Sequence, residues 1–149
     1  MNFNNFTIKA QEAVQEAVNL VQSRGQQAIE PVHVLQSVMK VGENVTNFIF
    51  QKLGMNGNQI AMLLQQEMQH LPRVQGAGQP YLSGDTNQIL INAEDIAKKM
   101  GDEFVSVEPI LLAILKGNST AARILKDAGA NEKDLTAAIQ ALRQGLGNG

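Results

Sequence analysis

Apolar residues along the chain recur mostly at spacings of three and four, the period of one helix face, with polar residues between them. The first such run opens at Thr7, whose hydroxyl suits an N-cap, and sets Ala10, Ala13, Val14, Ala17, Leu20 and Val21 on one stripe. Gly25 predicts its end, with Arg24 placed where a cation favours the helix C-terminus. After a short connection from Gln26 to Glu30, Pro31 fits the first turn of a second helix carrying Val34, Leu35, Val38 and Met39 inward. A third helix is predicted from Asn44 to Leu53, burying Val45, Phe48, Ile49 and Leu53, with Gly54 closing it. Asn56 then caps a fourth, with Ile60, Leu63, Leu64 and Met68 on its apolar face.

The segment Pro72 to Pro80 holds two prolines and two glycines in nine residues and reads as a linker. Beyond it the pattern starts again. A shift of 76 positions lays Thr7 on Ser83, Val14 on Leu90, Gly25 on Gly101 and Leu35 on Leu111. With one residue deleted, Ile49 meets Ile124, Gly54 meets Gly129 and Asn56 meets Asn131. Few residues are identical, yet caps, stops and apolar positions keep their order. The pattern predicts an all-α fold of eight helices, two four-helix repeats related by a pseudo-two-fold axis in one domain. Residues 1–71 form the first repeat, 72–81 the linker, 82–144 the second repeat, and 145–149 the start of a flexible exit toward further domains. Neither half alone buries enough surface to be comfortable by itself.

Composition narrows the function more than the fold. With 4% aromatics and no Trp, the core is built from Leu, Ile, Val, Ala and Met. A net charge of −2 with scattered Lys and Arg argues against a nucleic-acid surface. Lys98–Lys99, the one basic pair, reads as a solvated helix face. The absence of Cys excludes thiol chemistry and cysteine zinc sites. No stretch is long and apolar enough for a bilayer, and Met1 to Phe6 lacks the charged leader and apolar centre of a secretory signal, so a cytoplasmic chain is expected.

Candidate chemistry is sparse. No phosphate-binding Gly-x-x-x-x-Gly-Lys-Ser/Thr string is present, so this chain is not expected to hydrolyse ATP. His33 and His70 are far apart and lack companions for a metal; His33 reads as a hydrogen-bonded structural residue and His70 as a helix-end cation. Asp102, Glu103 and Glu108 cluster between two predicted helices, but no nucleophile or metal set accompanies them, so a hydrolase is the weaker alternative. Met39 and Met68 fall on core stripes, whereas Met62 and Met100 are candidates for partial exposure. Ile91 lies off the Leu90–Ala93–Ala97 stripe and matters only if it joins a patch.

Several strings, taken in order, resemble the N-terminal Clp repeat domain of ClpB-type AAA+ disaggregases. They are Thr7 to Ala13, Ile29 to Leu35, Leu71 to Gly76, Gly101 to Glu108 and Ile124 to Ala130. The resemblance covers nearly the whole chain. It implies a non-enzymatic domain that weakly binds unfolded or aggregated polypeptides and passes them to AAA+ rings. ATP and Mg would belong to those absent domains and no cofactor or metal to this one; the isolated domain would be a monomer and the full-length protein a hexamer. The resemblance further implies an exposed polar set at Thr7, Asp102 and Glu108, beside an apolar groove at Asn92, Ile96 and Pro109. The chain departs from the family in that groove, where Asn92 and Pro109 replace larger apolar residues. A related alternative is the adaptor-docking role of ClpA- and ClpC-type N-domains.

Overall fold

Side-chain caps decide where the helices begin. In the computed structural model, which describes residues 1–76 and 78–147, α1 (Ile8–Ser23) starts where the Thr7 hydroxyl accepts from the Ala10 amide at 3.1 Å. Asn56 does the same for α4 (Gly57–His70) and Ser83 for α5 (Gly84–Lys99). Ser119 and Asn131 cap α7 (Thr120–Asp127) and α8 (Glu132–Gly147). Pro31 is the first residue of α2 (Pro31–Val41), and Gly42 separates it from α3 (Glu43–Leu53). In α6 (Val107–Lys116), Pro109 sits in the first turn, where its missing N–H forfeits no intrahelical bond. Eight helices are thus found among the described residues, as the periodicity predicts.

The stops correspond as well. Gly25 and Gly101 close α1 and α5 with φ of 68° and 79°, a left-handed conformation in which a Cβ is strained. A Cβ at Gly101 would meet no atom within 4 Å, so its penalty is purely conformational. Gly101→Ala is therefore expected to destabilise the chain by about 1 kcal/mol, read as a lower urea midpoint with unchanged slope.

The all-α expectation needs one amendment. Strand β1 (Ala28–Ile29) pairs in parallel with β2 (Tyr81–Leu82), and an isolated parallel bridge joins Phe6 to Val105. Shifting by 76 carries Phe6 onto Leu82 and Ile29 onto Val105, so each contact maps onto the other with the halves exchanged. The hydrogen bonds follow suit: the Thr7 amide donates to the Val105 carbonyl at 2.9 Å and the Ser83 amide to the Ile29 carbonyl at 3.1 Å. Strands of two residues carry no alternation for a sequence to show.

The linker is tied down rather than loose at both ends. Val74 donates its amide to the Gly25 carbonyl at 2.8 Å, and Tyr81, assigned to the linker by composition, lies in β2. Residues 145–147, expected in a flexible exit, continue α8. Asn148 and Gly149 of that exit, like Ala77 of the linker, lie outside the described residues.

One apolar cluster runs through both halves. It joins Leu35, Ile49, Ile60 and Leu64 to Leu90, Leu111, Ile114 and Leu125. Helix α2 packs on α1, α3 and α4 of its own half and on α5, α6 and α7 of the other. Helix α6 is buried from Val107 to Leu115, which is why its sequence is apolar almost all round. Two inward assignments were out of phase: Phe48 and Leu63 are 38% and 36% exposed. Thr46, Ile49 and Phe50 form the buried row of α3 instead, because α3 packs on both α2 and α8 and this pair of neighbours selects a rotated face. Met68 is fully buried, Met39 and Met100 are half-buried against the core, and Met62 is exposed.

Candidate functional site

Helix α8 brings a residue that motif reading passed over. Arg143 grips Asp102 through two parallel bonds, Nη1 to Oδ1 and Nη2 to Oδ2, each 2.8 Å. Its Nη2 also donates to Ser106 Oγ at 3.2 Å, and its Nε reaches Glu108 Oε1 at 3.4 Å. Burial works against the guanidinium charge, but the hydrogen bond to Asp102 and the charges of Glu108 and Asp102 outweigh it and raise the Arg143 pKa. The two carboxylates are therefore not the free, exposed pair that the family resemblance implies. Their side chains are only 20% and 11% exposed, and both face an internal cation. Desolvation is the physical reason: carboxylates this far withdrawn from water need a partner, and Arg143 supplies it.

Thr7 joins the same junction from the other half. Its hydroxyl is engaged as the α1 cap, and its amide holds Val105, in the loop that connects Asp102 to Ser106. Two exposed apolar residues flank this bond. Ile8 follows Thr7 and is 76% exposed, and Phe104 precedes Val105 and is 47% exposed. Neither was singled out from sequence. A helical stripe labels Ile8 as merely off-face, and Phe104 lies in a loop where periodicity has no meaning. Glu103, beside Phe104, is exposed. On α5, Glu94 accepts from Asn5 Nδ2 at 3.0 Å, and Ile91, one turn earlier, is 39% exposed as its off-stripe position predicts.

The predicted groove is only partly present. A depression of about 270 Å³ between α5 and α6 is lined by Asn92, Asp95, Ile96, Lys99, Ala113 and Lys116. Ile96 contributes little surface, being 8% exposed. Pro109 is not a groove residue: it is buried in the first turn of α6, along the stretch from Val107 to Leu115 that enters the core. With Asn92, Asp95 and two lysines at its rim, the depression is amphipathic rather than apolar.

His33 is confirmed as structural by its contacts. Its Nδ1 accepts from the Glu30 amide at 2.9 Å, so the ring proton sits on Nε2, which donates to Gln26 Oε1 at 2.8 Å. Gln26 passes the chain on to the Met68 carbonyl at 2.7 Å. Burial first, and the charge of Arg24 second, push the His33 pKa down to about 4, so the ring is neutral near pH 7. Among the described residues no group of three or more His, Asp or Glu is placed to hold a metal, and no helix is long and apolar enough to cross a membrane.

The fold is thus a mainly helical domain with two exposed apolar residues beside a loop where Asp102 and Glu108 share one arginine. Comparison with known proteins places it further. The family model of the Clp repeat (R) N-terminal domain matches residues 5–144, and the chain belongs to that family. It is 66% identical over 145 residues to the chaperone protein ClpB of Bacteroides thetaiotaomicron and 52% identical over 145 residues to that of Porphyromonas gingivalis. Each match covers 97% of this chain but spans only 17% of the relative. Among solved structures, the Hsp104 N-terminal domain from Candida albicans superposes with a TM-score of 0.81 at 19% identity, over 94% of this chain and 92% of that one. The N-terminal domain of the ClpV1 ATPase from E. coli gives 0.80 at 19% identity, over 95% and 88%. At those identities the likeness is one of fold.

Proposed function

We propose that this chain is the substrate-recognition domain of a ClpB-type disaggregase, weakly binding unfolded or aggregated polypeptides and passing them to AAA+ rings. The observation that carries the reading is the pair Ile8 and Phe104, exposed on either side of the Thr7–Val105 bond. An apolar pair open to water gains roughly 25 cal/mol for each Å² a ligand covers, without demanding a particular sequence. Two residues hold a peptide weakly, which suits a domain that must release what it captures. Ile91 is a further exposed apolar residue on α5, and the amphipathic depression at Asn92 and Ile96 offers a place for mixed segments.

In this reading the domain does no chemistry of its own. ATP and Mg belong to the AAA+ domains, the domain alone is monomeric, the complete protein is hexameric, and it works in the cytoplasm. The test is an NMR titration of the 149-residue chain with a permanently unfolded protein. Shifts are expected at Ile8, Thr7, Phe104 and Ile91. The double variant Ile8→Ser, Phe104→Ser is expected to weaken Kd by roughly tenfold or more. An unshifted spectrum at millimolar ligand would overturn the reading and leave the adaptor-docking alternative or a purely structural role.

A further inference from the structure

We propose that Arg143 is a positioning residue, and that Asp102, Ser106 and Glu108 act on peptide binding by holding α8 and the Phe104 loop in place through it, rather than by touching peptide. The inference rests on the peptide-binding reading but makes a separate claim about how the acidic loop works.

The geometry is asymmetric in a telling way. Both Asp102 oxygens are taken by Arg143 at 2.8 Å, and Glu108 Oε1 and Ser106 Oγ lie at 3.4 and 3.2 Å from the same guanidinium. A substrate lysine would have to displace a bidentate, partly buried arginine to reach these oxygens. Fork-to-carboxylate pairing of this kind fixes orientation as well as charge, and a lysine cannot reproduce it. Phe104 stands midway between Asp102 and Ser106, so fixing both ends of that short loop fixes the side chain offered to solvent. The other end of the clasp is α8, which contributes Leu135, Ala138 and Ile139 to the core and packs on α3 and α6. The clasp thus joins α8 to the loop that presents half of the apolar pair.

The two roles of the carboxylates predict opposite signs for one substitution. Arg143→Met keeps the aliphatic stem but removes the cation. If Asp102 and Glu108 bind basic segments directly, freeing them should tighten a Lys-rich unfolded peptide by roughly tenfold. If they act through Arg143, the loop loosens and binding weakens by about tenfold for Lys-rich and neutral peptides alike.

The experiment measures both peptides by fluorescence anisotropy on the 149-residue chain, together with amide hydrogen exchange of Arg143→Met, Asp102→Asn and Arg143→Lys. Expected are weaker binding of both peptides, faster exchange in the C-terminal half of α8 in Arg143→Met and Asp102→Asn, intermediate values in Arg143→Lys, and unchanged protection in α2. Tighter binding of the Lys-rich peptide by Arg143→Met would overturn the proposal, as would unaltered exchange in α8. Should the parent chain bind neither peptide, the peptide-binding reading falls. The clasp then stands or falls on the α8 exchange alone. If Arg143→Met also loses protection in α2, Arg143→Lys, which keeps the charge but not the fork, decides by the same two readouts.

Discussion

Lowering the pH from 7 to 4 is expected to remove about 3 kcal/mol of stability through His33 alone. The folded ring is fully buried and holds its pKa near 4, against 6.5 for the free side chain. The unfolded chain therefore takes up a proton that the folded chain resists. Stability from this group is complete above pH 6.5, declines as pH falls between the two values, and is exhausted below pH 4. Protonation would also turn Nδ1 from acceptor to donor, facing the Glu30 amide at 2.9 Å donor to donor. Urea unfolding across this range measures the effect, with His33→Gln as the control. Carboxylates titrate in both proteins, so the difference between the two pH profiles isolates the imidazole. The control is expected to be less stable at pH 7, since Gln26 and Glu30 lose a shaped partner, but flatter between pH 6.5 and 4. Parallel profiles would mean that the ring reaches solvent before the chain unfolds.

That network also marks the boundary of what a sequence can say. Pro31 at the start of α2 and a histidine two residues on are legible, because helix starts are local chemistry. Gln26 is not, since its partners are Met68, 42 residues away, and the His33 ring. The same division holds at the candidate site. Thr7 and Ser83 announce themselves as caps within three residues of the amides they bind. Arg143 meets Asp102 across 41 residues, and nothing near it in sequence points there. One signal was available. Arg143 continues the row Leu135–Ile139 at a spacing of four, and a cation on a buried row implies a buried anion. Ranking Asp102 and Glu108 as exposed missed this, because the resemblance supplied their identity but not their partner. Pro109 failed as a groove residue for a related reason. Helix α6 is buried on every face, so no periodicity separates a surface-lining position from a core one. The caps and glycine stops were readable because each is local; the strand contacts Phe6–Val105 and Ile29–Leu82 were not.

Leu35→Ala and Leu111→Ala, at positions equated by the 76-residue shift, are each expected to destabilise the chain by about 2–5 kcal/mol. Both side chains are almost completely buried, at 0% and 1%, and belong to one apolar cluster. Because α2 and α6 pack on each other and on helices of both halves, a cavity in either removes contacts from both. Against a typical total of about 5–15 kcal/mol, either loss is a large share, so neither half is expected to survive the unfolding of the other. Thermal melts of each variant, followed by circular dichroism and by NMR signals from Ile8 and Phe104, test this. One shared transition, shifted down by a similar amount in both variants, is the expected outcome. Two transitions, with only the mutated half shifted, would show that the repeats are separate folding units. The distinction reaches function as well. Ile8 comes from the first half and Phe104 from the second, joined by the Thr7–Val105 bond. A surface assembled across that seam exists only while both halves are folded, so peptide binding in either variant should disappear along the same melting curve as the fold.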